Sequence, residues 1–599
     1  MVKTTVPSRN AKILRTLLFA AFLLMVGGIA RADVPYEVTF QPTGDDDLDS
    51  AIEDASQLSA LNDRPPDSDA ALRSRAAADR ERINAVARSF GYYDDQVEIE
   101  IDAKAQPAKV TVKVTPGPQY LLTSVSVVGP GGLPLPVTAP PLAPADLKLE
   151  IGKPALAAPV ATGDSLVERI FQSHGFPFAR IKQRKVTIDH GAHSMTVVYE
   201  VEPGHMSLFG DTKITGLESL DPGYVHNRIL WQPGQPYDIG KVDKTRDALV
   251  ATNLFSTVSI KPEQNDPPGV TPMLLDVSER LQHTIAATAS YSSSDGFEIG
   301  GSWEHRNLFG GAEDLKVTAA VGNEVSALQV DFRTPDLFAV GWDLISSLGV
   351  INLDTDAFNA TVAKVAAGVE YKAVARIAFG AQLSFERTTT NNYQVAGEYK
   401  LIGLPVYVKR DASDDLLNPT RGDRESITIT PYTDPDYSPL TFVSGKVTGS
   451  VYQRLGDDDT YVFAASAAVG ATFGVSLENL PPDKRFYAGG GGSVRGYAFQ
   501  HAGPNSPDGD PRGGLSSIET SIELRYKLTQ TIGLVPFIDA GNVYDSSLPD
   551  FGKKLFVGAG LGVRYYTGLG PVRLDIAVPL DKQKTDDSFQ IYVSLGQAF

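Results

Sequence analysis

The second half of the chain, from His283 to Phe599, consists of short segments in which apolar and polar residues alternate. The segments "HTIAATASY", "ESITITPY" and "TYVFAASAAVG" show this pattern, and Gly, Asp, Asn and Pro lie between one segment and the next. A period of two is typical of a strand with unlike faces, and roughly ten residues suit a tilted strand that crosses a membrane. About sixteen such segments can be counted, and an even number allows a closed antiparallel barrel without a free edge. The pattern therefore predicts a transmembrane antiparallel β-barrel over residues 282–599.

The last segment, "FQIYVSLGQAF", has the clearest alternation. Its period predicts that Phe589, Ile591, Val593, Leu595 and Phe599 face lipid and that Gln590, Tyr592, Ser594, Gly596 and Ala598 face the lumen. The first segment, 283–293, is rich in Ala, Thr and Ser, and Gly596 interrupts the last one. Such residues give little cross-strand packing, so we expect a weak seam where the first and last strands meet.

The beginning of the chain has the features of an export signal. Basic residues precede an apolar run from Leu17 to Ile29, and Ala30-Arg31-Ala32 supplies the small-x-small pattern that a signal peptidase accepts. The run has about 13 residues, fewer than the roughly 20 that a transmembrane helix needs. We therefore predict a signal peptide over 1–32. The exported chain is then either soluble or a membrane β-barrel.

A pattern of one strand, one helix and two further strands recurs three times before the barrel. The helices are expected to end near Gly91, Gly175 and Asn253, about 80 residues apart, which indicates an internal repeat of small α/β units. We assign the units to residues 33–117, 118–203 and 204–281. Each unit buries one helical layer against a short sheet, so its sheet edges are free to accept a strand from a partner. The alternative is that the units are spacers.

Composition and motif spacing argue against several classes of function. The formal net charge of −18 at pH 7 disfavours nucleic acid, which needs a basic surface. The absence of cysteine excludes disulfides, thiolate metal sites and cysteine nucleophiles. His190 and His193 lie at an expected turn, and the acidic turn 457–459 lacks the spacing of a calcium-binding loop. We therefore expect no enzymatic activity, no cofactor and no bound metal.

A glycine-rich stretch, "GGGGSVRGYAFQ" at 489–500, lies in a connection of some forty residues between the eleventh and twelfth strands. A glycine run can cradle phosphate where a helix follows, but no amphipathic helix follows here. A connection of this length is usually functional or disordered, and glycines let it turn tightly. The glycines therefore allow the loop 474–514 to fold tightly inward. A solvated surface loop is the alternative.

Several motifs together resemble the BamA/TamA superfamily of outer-membrane assembly and secretion proteins. They are "GGGGSVRGY", "VPFIDAGNVYD" at 535–545, "WEHRNLFGGAEDL" early in the barrel and "DDLLNPTRGDRESI" at 414–427. The three repeats are similar to polypeptide-transport-associated (POTRA) domains, and the first of them is the loosest fit. Three repeats make the chain most similar to TamA-like members, because the general assembly factor usually carries five and two-partner secretion transporters usually carry two.

This resemblance implies a set of site residues. In such proteins the loop enters the barrel and its arginine pairs with acidic groups on the inner wall. The loop motif would be Val494, Arg495, Gly496 and Tyr497, with Asp539 in "FID" as the arginine's partner and Glu523 in "SIELRY" as a second candidate. An arginine stays ionised and offers a planar fork that fits a carboxylate, which agrees with such a pairing. The resemblance also implies a C-terminal assembly signal formed by Tyr592, Leu595, Gly596 and Phe599.

The resemblance implies an outer-membrane assembly factor, with the POTRA-like arm in the periplasm of a Gram-negative cell. It would insert or translocate β-rich outer-membrane proteins or autotransporters through the barrel seam. Its partners would be unfolded or nascent client proteins, the lipid bilayer and a TamB-like protein anchored in the inner membrane. Two alternatives remain open: a transporter that exports one dedicated substrate, and a porin or uptake receptor.

Overall fold

The computed structural model of the protein describes residues 33–264, 269–372, 376–391, 396–436, 440–583 and 586–599. The expected signal peptide, 1–32, lies outside the described residues. Among the described residues, no helix combines the length and the apolar character needed to cross a bilayer. The chain forms two compact units. The first contains the residues up to Lys213 with Leu230–Lys244 and Ile260–Leu274, and the second contains Ile214–Ile229, Thr245–Ser259 and Leu275–Phe599.

The residues before the barrel form three small sheets with helices between their strands. The strands are β1 (Tyr36–Gln41), β2 (Gln96–Asp102), β3 (Ala108–Thr115), β4 (Leu121–Val128), β5 (Arg180–Asp189), β6 (Ser194–Glu202), β7 (Leu208–Thr215), β8 (Phe255–Pro262) and β9 (Val270–Glu279). The α-helices are α1 (Asp46–Ala55), α2 (Gln57–Ala60), α3 (Asp69–Ser89), α4 (Ala157–Gln172), α5 (Pro222–His226) and α6 (Ile239–Ala251). Short 3₁₀ helices lie at Pro130–Gly132, Pro144–Leu147 and Pro482–Lys484. The strand orders β1-β3-β2, β4-β6-β5 and β7-β9-β8 make three similar α/β units, as the repeat predicts.

The helix α3 shows how the sequence forms these units. Ser68 caps its first turn, because the side-chain oxygen accepts a hydrogen bond from the N–H of Ala71 at 3.3 Å. Leu72 and Ile83 on one face of the helix are fully buried against the sheet. Gly91 follows the helix with a φ of +88°, a backbone conformation that glycine adopts without strain.

His190 and His193 lie beside a carboxylate from the preceding repeat. Asp94 precedes β2, and its side chain accepts hydrogen bonds from the hydroxyl of Tyr120 and from Nδ1 of His190, both at 2.8 Å. Nε2 of His193 is 3.8 Å from the same carboxylate. The hydrogen bonds from Tyr120 and His190 lower the pKa of Asp94, whereas burial and then the bond to Asp94 raise the pKa of Tyr120 to about 12. The cluster therefore joins the first repeat to the second. In the described part of the chain, no group of His, Cys, Asp and Glu is arranged to hold a metal ion.

We expect Asp94→Asn to loosen this junction at neutral pH. The lowered pKa means that the carboxylate is charged at pH 7, so its contacts are lost only as the pH falls through that lowered value, below about 3.9. Asparagine keeps the shape of the side chain but not the charge. Hydrogen exchange at residues 117–121 should become severalfold faster in this variant. Asp63→Asn is the matched control, because Asp63 is an exposed partner of Arg64 at 4.0 Å; equal exchange in both variants would contradict the role of Asp94.

The barrel is closed and antiparallel, which confirms the predicted fold class. Its strands are β10 (His283–Ser292), β11 (Gly296–His305), β12 (Asp314–Gly322), β13 (Val325–Thr334), β14 (Trp342–Asp354), β15 (Asn359–Lys372), β16 (Ile377–Asn391), β17 (Ala396–Gly403), β18 (Val406–Asp411), β19 (Gly422–Thr433), β20 (Thr441–Arg454), β21 (Tyr461–Phe473), β22 (Ser516–Lys527), β23 (Ile532–Tyr544), β24 (Phe556–Thr567), β25 (Gly570–Pro579) and β26 (Gln590–Leu595). Both β17 and β18 pair with β16 and with β19, so the two are halves of one strand interrupted at Pro405. The barrel therefore has sixteen strand positions.

Alternation along each strand separates the two faces of the barrel wall. In β25, Leu574 and Ile576 are 41% and 48% exposed on the outer face. Arg573 and Asp575 alternate with them and are buried inside the barrel. The apolar side chains therefore face lipid and the charged ones face the lumen.

The end of the last strand differs from the sequence prediction. Phe589 and Leu595 are on the outer face as expected, but β26 ends at Leu595, and Gly596 has a φ of +89°. The chain then turns inward, and the ring of Phe599 lies 5.4 Å from the guanidinium carbon of the buried Arg525. The expectation that Phe599 faces lipid is therefore wrong, because the left-handed conformation of Gly596 breaks the period of two.

Candidate functional site

The tip of the long loop between β21 and β22 is buried inside the barrel. Val494 and Tyr497 are fully buried, and Arg495 is 1% exposed. Gly496 lies between them with a φ of +102°, and a Cβ atom at this position would lie 2.9 Å from the carbonyl carbon of Val578. Only glycine fits both the backbone conformation and this close approach to β25.

Arg495 is held by Asp539 through both its main chain and its side chain. The N–H of Arg495 donates to Oδ2 of Asp539 at 3.0 Å, and Nε donates to the same oxygen at 2.7 Å. Nη2 donates to Oδ1 of Asp539 at 2.9 Å, and the hydroxyl of Ser521 donates to that oxygen at 2.6 Å. This is a bidentate arginine–carboxylate pair with a further hydrogen bond that orients the carboxylate.

Two more carboxylates share the same guanidinium. Nη1 of Arg495 donates to Glu523 at 2.8 Å and to Asp575 at 3.0 Å, and both acids are fully buried. The guanidinium carbon also lies 3.4 Å from the ring centroid of Phe537, which stacks against its face. Arg495 therefore connects β22, β23 and β25 through one side chain.

Three further arginines complete the cluster, and sequence reasoning missed all of them together with Asp575. Arg525 donates to Glu523 at 2.9 Å, and Arg564 donates to Asp575. Nε of Arg573 lies 3.9 Å from Asp575. The period of two in "ELRYK", "GVRYY" and "VRLDIAV" puts these charges on the inner face, which is the signal that could have found them.

The electrostatics of the cluster keep the loop arginine charged. Burial alone would lower the pKa of Arg495. The hydrogen bond and charge of Asp539, with the charges of Glu523 and Asp575, raise this pKa above its ordinary value instead. The pairing therefore holds as an ionic one throughout the physiological pH range.

A second group of charges holds the base of the loop. Lys484 is paired with Glu386 on β16, and Lys364 on β15 pairs with the same carboxylate at 3.0 Å. The hydroxyl of Thr388 donates to Asp483 at 3.1 Å. Glu386 is 4% exposed. The loop is therefore attached to the barrel wall at β16 as well as at β22, β23 and β25, and Lys364 on β15 supports the β16 carboxylate.

The loop tip also contacts the last strand. The hydroxyl of Tyr592 on β26 donates to the carbonyl of Tyr497 and accepts from the N–H of Gly496, both at 3.1 Å. The hydroxyl of Tyr497 in turn donates to the carbonyl of Val557 on β24 at 3.1 Å. Tyr592, expected as part of an assembly signal, thus has its side chain against the loop motif.

The seam between β10 and β26 is short. In the described residues the two strands pair at Tyr291 with Val593 and at Ser292 with Tyr592, whereas β10 pairs with β11 along its whole length. Ser293 extends the contact, because its N–H donates to the carbonyl of Ile591 at 2.9 Å. Within the residues that the structure describes, β10 has no backbone pairing with β26 over 283–290.

A cavity of about 650 Å³ lies inside the barrel beside this seam. Its lining includes Ser290, Asp295, Lys446, Glu519, Arg573 and Tyr592. The first strand, the last strand and the loop tip all border it. The seam, the cavity and the loop tip therefore form one continuous candidate site.

The comparison with known proteins agrees with this architecture. Residues 307–599 match the model of the Omp85 superfamily domain. The outer membrane protein assembly factor BamA of Neisseria meningitidis serogroup B is 22% identical over 597 residues, covering 87% of this chain and 73% of that protein. BamA of Nitratidesulfovibrio vulgaris is 23% identical over 460 residues, covering 73% of this chain and 57% of that protein. The chain thus spans about three-quarters of one relative and little more than half of the other.

A solved structure shares the fold. The crystal structure of BamA from Haemophilus ducreyi lacking POTRA domains 1–3 covers 80% of this chain and all of that chain, with a TM-score of 0.63 and 16% sequence identity. The barrel lies in the outer membrane, and the α/β units are periplasmic. The superfamily that matches is the expected one: residues 307–599, which contain the seam strand β26, the lumenal loop and the loop's ionic partners, are similar to the Omp85 superfamily domain.

Proposed function

We propose that the protein assembles other β-rich proteins in the outer membrane, by inserting or translocating them at the seam between β10 and β26. One observation carries the proposal: the edge of β10 over 283–290 has no strand partner on the seam side within the described residues. The two relatives named above are outer-membrane protein assembly factors, which supports the same function.

The physical basis is the cost of unpaired backbone groups near lipid. Each N–H and C=O that lacks both water and a hydrogen-bond partner costs several kcal/mol in a bilayer, roughly as much as an unmade bond in an apolar solvent. A client strand that adds to β10 satisfies such groups on both chains. Backbone pairing depends little on sequence, so one edge can accept many clients.

The finer role that we propose is that of a TamA-like protein. Its clients would be unfolded or nascent outer-membrane proteins, including autotransporters, and a TamB-like protein anchored in the inner membrane would be its partner. The three α/β units support this role, since each small sheet ends in edge strands, such as β1 and β2 in the first, that can accept a strand from a partner.

Deletion of the first two repeats tests this function. We expect a variant without residues 33–203 to form a barrel that resists unfolding but to lose most of its assembly activity, because edge strands that receive clients or partners are gone. The measurement is quantitative mass spectrometry of the outer membrane in cells that depend on the variant. A fall in several β-barrel proteins is expected. Unchanged levels of these proteins with loss of one secreted protein would indicate a transporter for a dedicated substrate instead.

A further inference from the structure

The segment after the last strand is bound inside the barrel by residues from distant parts of the chain. The N–H of Gln597 donates to the carbonyl of Leu417 at 3.0 Å, and its side-chain amide donates to Asn418 at 2.9 Å. Both partners lie in the turn 412–421, between β18 and β19. In the barrel order this turn is far from β26, so the contact crosses the interior of the barrel.

Two arginines of the lumen complete the binding site. Nε of Arg564 donates to the side-chain oxygen of Gln597 at 2.8 Å. Arg525 donates through Nη1 to the carbonyl of Pro419 at 3.1 Å and through Nη2 to the main-chain oxygen of Phe599 at 3.2 Å. Arg525 therefore contacts the turn and the bound segment at the same time.

Hydrogen bonds from two carboxylates within the turn fix its conformation. Asp414 accepts hydrogen bonds from the N–H groups of Thr420 and Arg421 at 2.8 and 3.1 Å. Asp415 accepts from the N–H groups of Leu417 and Asn418 at 2.8 and 2.7 Å. These bonds hold the carbonyl of Leu417 and the amide of Asn418 in place, which lowers the entropy cost of binding.

We propose that the turn 412–421, together with Arg525 and Arg564, is an internal receptor for the segment 596–599 and that it keeps this segment away from β10. If the pairing of Tyr291 with Val593 continued in register, Ala598 would lie opposite Ala286, and β26 would cover the edge of β10. The receptor competes with this closure. It is therefore a regulatory element of the seam, and its importance for client entry rests on the proposed function.

The receptor shares its charges with the loop tip. Glu523 pairs with both Arg495 and Arg525, at 2.8 and 2.9 Å. Asp575 pairs with both Arg495 and Arg564. The positions of the loop tip and of the segment 596–599 are therefore coupled through two carboxylates.

Disulfide reporters in the purified full-length protein test the receptor without any client. The chain has no native cysteine. A first pair, Asn418→Cys with Gln597→Cys, should cross-link readily in the resting protein, because the N–H of Gln597 donates to the carbonyl of Leu417 at 3.0 Å and so holds the two main chains together. A second pair, Ala286→Cys with Ala598→Cys, should cross-link poorly, since it joins only when the seam closes.

Weakening the receptor should shift the segment 596–599 from the receptor toward the edge of β10. Adding Asn418→Ala to the second pair removes one hydrogen bond, and we expect its cross-linking rate to rise about fivefold. Asn352→Ala is the matched control, because that amide accepts from Thr361 on the neighbouring strand at 3.0 Å, and it should leave the rate unchanged.

Two outcomes would overturn the proposal of a receptor. The first is the absence of a cross-link in the first pair. The second is an unchanged cross-linking rate of the second pair when Asn418→Ala and Gln597→Ala are combined with it. Neither cross-linking measurement depends on assembly activity. A failure of the receptor is thus separable from a failure of the proposed function, which the outer-membrane protein levels report.

Discussion

Arg495→Ala is expected to release the tip of the lumenal loop while the barrel still forms. The substitution removes the shared partner of Asp539, Glu523 and Asp575, all of which are fully buried. Breaking a buried ion pair by removing one partner costs about 3–5 kcal/mol, and little solvent reaches this site to reduce that cost. The loop tip should therefore detach from the lumenal wall in most molecules, and its contact with Tyr592 should be lost.

Limited proteolysis within residues 489–500 measures the release, and outer-membrane protein levels measure its effect on assembly. Arg512→Ala is the matched control, because Arg512 lies in the same loop and makes a half-exposed pair with Asp545 at 2.8 Å. That pair is worth less than about 1 kcal/mol, so the control should behave like the wild type. Arg495→Lys should restore only part of the protection, since an ammonium lacks the planar fork. Equal cleavage in the Arg495 and Arg512 variants would mean that the loop tip is held by other contacts.

Locking the seam with a disulfide should abolish assembly activity reversibly. Tyr291 and Val593 are paired across the seam, so Tyr291→Cys with Val593→Cys places two thiols on neighbouring antiparallel strands within bonding range. The oxidised protein should be inactive, because the strands can no longer separate to admit a client. Addition of a reductant should restore activity.

The matched control is a disulfide across a boundary that has no role in entry. Ile299 and Val321 are paired between β11 and β12, and Ile299→Cys with Val321→Cys should leave activity unchanged in both redox states. If the locked seam supports assembly as well as this control does, clients enter by another route.

The barrel could be predicted from periodicity because successive residues of each strand face lipid and lumen in turn, and the two environments favour apolar and polar side chains respectively. Leu574 and Ile576 face lipid, and Arg573 and Asp575 face the lumen, so the sequence of β25 reads as strict alternation. The break near Pro405 was less visible. The segment 396–408 reads as one strand, whereas proline has no N–H to donate and divides it into β17 and β18.

The ionic cluster is harder to predict than the strands that carry it. The family resemblance implied Asp539, in the motif "FID", and Glu523 as a second candidate, whereas it did not point to Asp575. Its place beside Arg495 depends on the register of four strands and on the depth to which the loop enters, and neither is encoded in local periodicity. The path of Phe599 was missed for a related reason, since one residue with positive φ redirects everything that follows it.

The attachment of the loop at its base has a consequence for the route of any passenger. Lys484 holds one end of the loop to β16, while Arg495 holds the tip to β22, β23 and β25. A chain threaded along the barrel axis would have to displace a bridge tied at both ends, breaking two buried clusters of charge in one event. A chain that enters sideways through the wall needs neither to break. The two attachments of the loop therefore make passage along the barrel axis costlier than the lateral entry that we propose for clients.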